Sequence, residues 1–250
     1  MFERILVTGT KSGLGAALLD RFGTAALTRE DDPADLKDDN IYDAIIHCAF
    51  DHAIFDNNSK IRSNLALFDA VRIIPCKRFV YISSIDVYPT PAGRRQEDMP
   101  ITATRDDNAY RATKIACEAR LLADCGQFLI LRPTALLGAK ARPNSLMRMR
   151  SDPSCKLTLA PESAFNYVLH RQISDFIYSA LRNDVTGIFN IASADNISLG
   201  EVAELVNAQP EYGKFRYEVG NIDNRKAQSV LTEFARSSRS VIEEFMKTFE

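Results

Sequence analysis

The chain lacks the features that mark several large classes of protein. Its 250 residues carry a formal net charge of −2 at pH 7, which gives no attractive field for nucleic acid or an anionic membrane surface. No run approaches the roughly 18 apolar residues of a membrane-spanning helix, and the N-terminus has no long apolar stretch of the signal-peptide kind. Repeats, low-complexity tracts and long Gly/Ser linkers are absent as well. We therefore expect a globular protein that binds neither nucleic acid nor membrane.

Cysteine and histidine are few and scattered. The five cysteines include no Cys-x-x-Cys pair and their number is odd, which favours buried, reduced thiols in a cytoplasmic protein. His52 and His170 have no partner at the spacing of metal ligands, so we predict no metal site. His47 could serve as a general base, but it lies inside the apolar run 45–49, which favours a satisfied core histidine.

Apolar runs that alternate with helical patterns indicate a parallel sheet covered on both faces. We expect strands in six runs: residues 4–8, 25–28, 43–49, 79–83, 128–133 and 187–192. A helix should open in the glycine-rich turn after the first strand and end at Gly23, and further helices are expected at 61–74, 108–123, 172–182, 199–207 and in two later stretches. The predicted fold class is therefore α/β, a Rossmann-type doubly wound parallel sheet with a small C-terminal substrate-binding cap.

The pattern changes after Pro133. Residues 139–165 contain three prolines and several basic residues, which predicts a loop or lid. We divide the chain into a Rossmann domain, residues 1–138, and a cap, residues 139–250, that is interleaved with the end of the sheet. The connection 29–42 has 14 residues and is rich in Asp, so we expect an abbreviated crossover there.

Three glycines follow the first strand, in the run Thr8-Gly-Thr-Lys-Ser-Gly-Leu-Gly. Small residues between a strand and a helix let the backbone approach a pyrophosphate, whose charge rests on the amides of the helix N-terminus. A tight turn without any ligand is the alternative. We predict that the loop binds a dinucleotide through six of its residues: Gly9, Lys11, Ser12, Gly13, Leu14 and Gly15.

The end of the second strand bears on the choice of dinucleotide. Folds that select NAD usually place Asp or Glu about 20 residues after the turn, to hold the ribose hydroxyls. Here that position is Thr28, followed by Arg29, which can pair with a 2′-phosphate. Lys11 could add a second cation, although Arg29 could also be a surface charge beside Glu30. We predict NADP as the cofactor, with NAD as the alternative.

Ser84, Tyr110 and Lys114 form the predicted catalytic group. Tyr110 and Lys114 are one helical turn apart and share a face, and the ammonium is expected to lower the pKa of the phenol. Ser84 follows a parallel strand, at the edge where open α/β sheets bind ligands, and can donate a hydrogen bond to a substrate oxygen. Tyr110 would then donate or remove a proton. An ordinary pair on a helix surface is the alternative interpretation of Tyr110 and Lys114.

These motifs resemble those of the extended short-chain dehydrogenase/reductase family, in its group of nucleotide-sugar epimerases, dehydratases and reductases. The similar segments span most of the chain: residues 45–49, 78–88, 110–114, 131–138 and 187–198. A serine four residues before a tyrosine, here Tyr88, selects Ser84 over Ser83. The resemblance implies four further cofactor contacts: Asp35, Leu36, Ala49 and Pro133.

The chain also departs from the family pattern. Its glycines have the spacing of the smaller short-chain branch, and residues 167–173 lack the usual paired Asp. Family dehydratases carry an acid directly after the catalytic serine or threonine, whereas this chain has Ile85, followed by Asp86. Elimination chemistry is therefore disfavoured.

The resemblance implies an NADP-dependent reductase of a keto-sugar, with a nucleotide-sugar as its small-molecule partner. One alternative is a nucleotide-sugar 4-epimerase that retains its cofactor, and another is a non-catalytic NADP-binding redox sensor. A homodimer is one expected oligomeric state. Four basic residues are candidate contacts for the substrate pyrophosphate, although scattered basic residues are more often ordinary solvated charges: Arg148, Arg150, Lys156 and Arg171.

Overall fold

The computed structural model describes residues 2–23, 25–36, 41–89, 93–104, 107–124 and 126–248. In chain order its strands are β1 (Ile5–Thr8), β2 (Ala25–Leu27), β3 (Ala44–His47), β4 (Phe79–Ile82), β5 (Arg94–Arg95), β6 (Phe128–Pro133), β7 (Ala135–Leu137), β8 (Ala164–Phe165), β9 (Tyr167–Leu169), β10 (Gly187–Ile191), β11 (Ile197–Ser198) and β12 (Asn221–Ile222). Its α-helices are α1 (Gly13–Phe22), α2 (Asn57–Arg72), α3 (Ala109–Ala123), α4 (Ser145–Ser151), α5 (His170–Arg182), α6 (Leu199–Leu205), α7 (Arg225–Val230) and α8 (Ser238–Thr248).

The central sheet has six strands in the order β10-β6-β4-β3-β1-β2, and all of its neighbouring strands are parallel. The predicted Rossmann-type fold is confirmed. Strands β1, β3 and β4 are buried along their whole length, because a parallel sheet with helices on both faces has no polar side. The chain runs outward from β1 to β2 and then returns to β3 on the other side of β1. A crevice for ligands is expected at such a reversal, beyond the carboxyl ends of the strands.

Two helix pairs cover the sheet. Helices α1 and α5 pack together on one face, where Leu18 and Phe176 are fully buried. Helices α2 and α3 pack on the other, where Phe68 is fully buried and Leu121 nearly so. Full burial of such a side chain contributes about 1.5–3 kcal/mol. These contacts fix α3, which carries Tyr110 and Lys114, against the sheet.

Local capping explains where several helices begin and end. Gly23 ends α1 as predicted, since it adopts a left-handed conformation (φ 61°) and donates its N–H to the Leu19 carbonyl. Helix α2 begins at Asn57, four residues before the predicted start, because the Asp56 side chain accepts a hydrogen bond from the Ser59 N–H. The described part of the connection 29–42 contains one 3₁₀ turn, Pro33–Leu36, as an abbreviated crossover requires.

A second hydrophobic cluster joins elements that follow β6. Its fully buried members include Leu137 from β7, Leu146 from α4 and Val202 from α6. The interval 139–165, predicted as loop, contains the short helix α4, whose start is capped by the Asn144 side chain on the Met147 N–H. The division at residue 138 stays a prediction, and β10, from the later part of the chain, pairs with β6 in the central sheet.

The cysteines and the helices bear on two further expectations. Cys48, Cys76, Cys117 and Cys155 are free thiols, and Cys125 lies outside the described residues. Within the described ranges, no helix is both long and apolar enough to cross a membrane.

Candidate active site

A cavity of about 920 Å³ opens beyond the carboxyl ends of β1, β3, β4 and β6. This volume is at the upper end of the roughly 300–1,000 Å³ that ligand pockets occupy. The sequence-predicted site residues that line it are Gly9, Lys11, Ser12, Gly13, Leu14, Gly15, Arg29, Ala49, Ser84, Tyr110, Lys114 and Pro133. Asp35 and Leu36 lie in the 3₁₀ turn after β2 and are not part of the lining, so their contact with the cofactor stays a prediction without geometric support.

The glycine loop owes its shape to close backbone packing. Gly9 has a positive φ of 73°, and a Cβ at this position would come within 2.8 Å of the Ala49 nitrogen. A Cβ on Gly15 would come within 2.3 Å of the Gly9 carbonyl oxygen. The loop therefore presents backbone instead of side chains to the cavity, as a pyrophosphate site at a helix N-terminus requires. A dinucleotide fits this end of the cavity.

Thr8 joins the glycine loop to the strand beside it. Its hydroxyl oxygen accepts hydrogen bonds from the N–H groups of Cys48 and Ala49, both at 3.2 Å, and lies 3.0 Å from His47 Nδ1. Burial lowers the pKa of His47 to about 3, and the charge of Lys114 adds to the effect, so the ring is neutral. His47 also stacks on Tyr81, with 5.9 Å between ring centroids. The interpretation of His47 as a satisfied core histidine is confirmed.

The two cations predicted to select NADP already have acidic partners. Arg29 Nη2 lies 2.9 Å from Asp51 Oδ1, and Lys11 Nζ lies 2.7 Å from Glu30 Oε1. All of these side chains except Asp51 are more exposed than buried, so each ion pair contributes about 0–1 kcal/mol and is readily exchanged. Both cations line the cavity at the end of β2.

Lys114 is buried at the centre of the predicted catalytic group. Its Nζ donates a 2.6 Å hydrogen bond to the Ile82 carbonyl oxygen and lies 5.6 Å from the centroid of the Tyr110 ring. Burial lowers the pKa of Lys114 to about 8. In most molecules the Lys114 side chain is therefore protonated at neutral pH.

Tyr110 behaves differently from the prediction. Burial raises the pKa of its phenol to about 12, against the opposing effects of a hydrogen bond with Ser84 and of the charge of Arg142. The expectation that Lys114 brings this pKa below its ordinary value is wrong, because desolvation outweighs the nearby cations. Tyr110 is consequently a protonated donor at neutral pH.

Ser84 is held by Asp86, two residues later. Its hydroxyl donates to Asp86 Oδ2 at 3.2 Å, and the Asp86 N–H donates back to the hydroxyl oxygen at 3.2 Å. The Tyr217 hydroxyl donates to the other oxygen of the carboxylate at 3.3 Å. Asp86 and Tyr217 both line the cavity, and only the position of Asp86 after Ser84 could have indicated either of them from the sequence.

Aromatic rings form the wall around Tyr110. Phe50 meets it edge-on, with centroids 4.9 Å apart, and His52 stacks against it at 5.8 Å. Phe165 and Tyr217 form a second pair whose centroids are 5.0 Å apart. Burial lowers the pKa of His52 to about 4, and the charges of Arg142, Lys114 and Lys60 lower it further. The wall is therefore uncharged and suited to the face of a ring.

Arg142 is a basic residue of the cavity that was not predicted from the sequence. It lines the cavity and lies close enough to Tyr110 and Lys114 to lower the pKa of each. No acidic side chain of the described ranges forms an ion pair with it. The segment 139–165 offered many basic residues and no signal to single this one out.

The four predicted pyrophosphate contacts do not line the cavity. Arg148 donates to the Lys156 carbonyl oxygen, and Lys156 pairs with Glu211. Arg171 forms ion pairs with Glu233, Glu244 and Asp175. Arg150 lies 5.8 Å from the Phe245 ring. The alternative of ordinary charges with no role in the site fits these four side chains, because their contacts lie outside the cavity.

The sequence matches a family model over residues 6–180, and that model is the NAD dependent epimerase/dehydratase family. The chain belongs to this family. It is therefore a nicotinamide-dinucleotide-dependent enzyme of the short-chain dehydrogenase/reductase type, as the sequence predicts. A search of the curated proteins gives no significant match.

Solved structures share the fold of this epimerase/dehydratase family member over nearly all of its length. The dTDP-4-dehydrorhamnose reductase of Bacillus anthracis, in complex with NADP, is 16% identical with a TM-score of 0.80, and the match covers 99% of this chain and 100% of that one. The UDP-N-acetylglucosamine 4-epimerase of Bacillus cereus is 20% identical with a TM-score of 0.74, covering 98% and 99%. MoeE5, in complex with UDP-glucose and NAD, is 18% identical with a TM-score of 0.76, covering 98% and 99%.

Proposed function

We propose that this enzyme is an NADP-dependent reductase of a keto-sugar that is linked to a nucleotide. The observation that carries the proposal is the convergence of Ser84, Tyr110 and Lys114 at one end of a cavity whose other end is the glycine loop. A hydroxyl pair and an ammonium at a dinucleotide site suit the reduction of a carbonyl. The proposal assigns catalytic roles to these three residues.

The chain's own groups would act on the substrate oxygen. Tyr110, whose raised pKa keeps it protonated, would give its proton to the oxygen as negative charge develops there. Ser84 would turn its hydroxyl proton from Asp86 to the same oxygen and so orient it, and Lys114 would hold the nicotinamide ribose of the cofactor. Bound NADPH supplies the hydride. After turnover, Tyr110 must regain its proton from solvent through the open side of the cavity.

The preference for NADP rests on Arg29 and Lys11. A 2′-phosphate at the end of β2 would offer each cation a stronger partner than its present carboxylate, since charge-assisted bonds to phosphate are among the strong ones. Thr28, which also lines the cavity, stands where a carboxylate would otherwise repel that phosphate. Asp51 and Glu30 are the competitors that cofactor binding would have to displace.

The proposed substrate class rests on the other end of the cavity. The uncharged aromatic wall suits the face of a sugar ring, and Arg142 offers a cation for an anionic group such as a diphosphate. MoeE5, which shares the fold, was solved with UDP-glucose, and that likeness supports a nucleotide-sugar here. The Asp86 carboxylate would accept a hydrogen bond from a sugar hydroxyl.

One contact favours the runner-up, a nucleotide-sugar 4-epimerase with retained cofactor. The Gly13 N–H donates to the Lys140 carbonyl oxygen at 2.8 Å, and the Lys140 side chain pairs with Asp20 on α1. These two contacts hold the segment after β7 against the glycine loop, which would slow the release of a bound dinucleotide. A reductase must exchange its cofactor in every turnover, whereas an epimerase regenerates it.

The test is a panel of nucleotide-linked keto-sugars with purified enzyme, followed by the loss of NADPH absorbance. We expect protein that arrives largely free of nicotinamide and consumes one NADPH for each product formed. Cofactor that survives purification, with inversion of a sugar and no net loss of NADPH, would replace the reductase by the epimerase. Binding of NADPH with no turnover of any member of the panel would contradict both and favour the redox sensor.

A homodimer and a cytoplasmic location also remain proposals. The free thiols of Cys48, Cys76, Cys117 and Cys155 support a reducing compartment. Sedimentation equilibrium would give the oligomeric state, and a monomer at micromolar concentration would contradict the dimer.

A further inference from the structure

A buried ion pair lies beneath the proposed catalytic group. Glu118 on α3 and Arg132 on β6 are 3% and 2% exposed. Arg132 Nη2 lies 2.6 Å from Glu118 Oε2, and Arg132 Nε lies 3.1 Å and 3.3 Å from the two carboxylate oxygens. Removing two charges from water is expensive, and such a pair is stable only when its geometry satisfies both partners. Here the third guanidinium nitrogen, Nη1, donates to the Tyr88 hydroxyl at 2.8 Å.

Glu118 also joins the two strands that end at the site. The Ser83 hydroxyl donates a short hydrogen bond to Glu118 Oε1, and Ser83 directly precedes Ser84. Arg132 directly precedes Pro133, which lines the cavity at the end of β6. A single carboxylate therefore fixes α3 against the carboxyl ends of both β4 and β6. We call Glu118, Arg132 and Ser83 the brace.

The brace lies next to Lys114. Tyr110, Lys114 and Glu118 follow one another at intervals of four residues on α3, so they share one face of the helix. The groups that face the Lys114 ammonium come from α3, β3, the loop after β3, β4 and the segment after β7. They are Tyr110, Cys117, Glu118, His47, Cys48, Phe50, the neutral His52, Tyr81, the Ile82 carbonyl and Arg142.

Glu118 supplies the negative charge in these surroundings. Burial raises the pKa of the Cys48 thiol to about 12 and raises that of Cys117, so both are neutral. His47 is neutral as well, and Arg142 is a like charge that disfavours the ammonium. Among the described residues facing Lys114, the Glu118 carboxylate is thus the anion that offsets its desolvation.

We propose that Glu118 is a positioning residue, which keeps Lys114 charged and places it against the cofactor and Ser84. The proposal rests on the proposed function, because it uses the role of Lys114 in holding the nicotinamide ribose. The proposal predicts that removing the charge of Glu118 and removing the charge of Arg132 shift the titration of Lys114 in opposite directions. Loss of the Glu118 charge removes the anion that acts on Lys114 and leaves Arg132 as an uncompensated cation in the brace, so the ammonium should lose its proton at lower pH. Loss of the Arg132 charge should have the opposite effect.

The experiment measures NADPH affinity on both sides of the Lys114 pKa of about 8. In the wild type the affinity should fall as pH rises through this value, because a charged Lys114 is the stronger donor to the ribose. Lys114→Met should abolish that pH dependence, and thereby identify the group that titrates. Glu118→Gln, which keeps the shape of the side chain, should move the transition to lower pH by about one unit.

Two further variants separate this role from a merely structural one. Arg132→Gln should move the transition to higher pH. The double variant, Glu118→Gln with Arg132→Gln, removes both charges and should return the transition toward the wild-type pH. Damage to packing would weaken binding in all three at every pH and could not move the transition in opposite directions. If one single variant does not fold, the other and the double variant still test the sign.

Three results would overturn the proposal. One is a transition at the wild-type pH in Glu118→Gln. Another is a shift of both single variants in the same direction. The third is a wild-type pH dependence that persists in Lys114→Met. Reduction of a keto-sugar is measured separately, so failure of the panel would remove the proposed function and leave these binding results interpretable.

Discussion

The Ser84 hydroxyl donates a hydrogen bond to the Asp86 carboxylate. With 3.2 Å between Ser84 Oγ and Asp86 Oδ2, and the Asp86 N–H donating to the same oxygen, Ser84 retains one lone pair for Tyr110. The orientation of the proposed catalytic serine is thus set by a carboxylate that the cavity exposes to substrate.

Asp86→Asn should lower turnover about fivefold while the Kd for NADPH stays unchanged. The amide keeps the shape of the side chain but replaces a charge-assisted hydrogen bond by a neutral one, a difference of about 1 kcal/mol. Steady-state kinetics with the substrate from the panel would measure this. Asp98→Asn, at an exposed acid that does not line the cavity, is the matched control. Equal kcat in both variants would exclude a role for Asp86.

Tyr110→Phe should remove nearly all turnover and leave NADPH binding within a few-fold. Loss of a positioned acid typically costs about 10²–10⁴ in rate. The check is kcat together with a fluorescence titration of NADPH. Tyr178→Phe, at a tyrosine on α5 that is 40% exposed, should behave as the wild type. Near wild-type kcat in Tyr110→Phe would rule out the assignment.

Changes at Arg29 and at its partner Asp51 should alter cofactor preference in two directions. Arg29→Asp should weaken NADPH by about tenfold to a hundredfold and NADH far less, because a charge-assisted contact is worth about 1.5–3 kcal/mol. Asp51→Asn removes the carboxylate that competes with the 2′-phosphate for Arg29, so it should strengthen the binding of NADPH. Binding titrations of both cofactors would measure the ratio, with Arg62→Ala on α2 as control. A wild type that binds NADH and NADPH equally would refute the assignment of Arg29.

Arg142→Leu should raise the KM for the nucleotide-linked substrate about tenfold, with a smaller effect on kcat. The residue is expected to contact a remote anionic group instead of the reacting atoms, and a charge-assisted hydrogen bond lost there costs about 1.5–3 kcal/mol. Arg148→Leu is a matched control, because Arg148 is on the neighbouring helix α4 and does not line the cavity. The same KM change in both variants would show a general charge effect and not a contact.

Stability should fall as the solution is acidified below about pH 6.5. His47 and His170 are 2% and 5% exposed, and burial lowers their pKa values to about 3 and about 4. In that window the unfolded chain binds protons that the folded chain does not, so each histidine removes about 1.4 kcal/mol per pH unit. Chemical unfolding at several pH values would measure the slope. His47→Asn should make it shallower, and an unchanged slope would exclude His47 as the source.

The sequence predicted the order of the elements because their signals are local. Parallel strands such as β1 and β3 are apolar up to their last residues, Thr8 and His47, and Gly23 and the glycine loop mark the boundaries of α1. The spacing of Tyr110, Lys114 and Ser84 likewise follows from one helix face and one strand end. These features depend on residues that are close together in the chain.

The remaining features depend on distant contacts that no local pattern encodes. The pKa of Tyr110 is set by burial among Phe50 and other groups that only the fold assembles. Arg142 and Arg148 both lie in the basic segment 139–165, yet only Arg142 lines the cavity, whereas Arg148 donates to the Lys156 carbonyl oxygen. Tyr217 reaches Asp86 from 131 residues away.

The pairing of β10 with β6 has a practical consequence for dividing this chain. Five residues of β10 pair with Leu129 to Pro133 on the outer side of β6. A fragment that ended at residue 138 would leave β6 as a long, apolar edge strand with unpaired backbone groups. Such edges recruit strands from other molecules and promote aggregation. The part of the chain that carries the glycine loop and the proposed catalytic residues should therefore remain in solution only when the later residues are present.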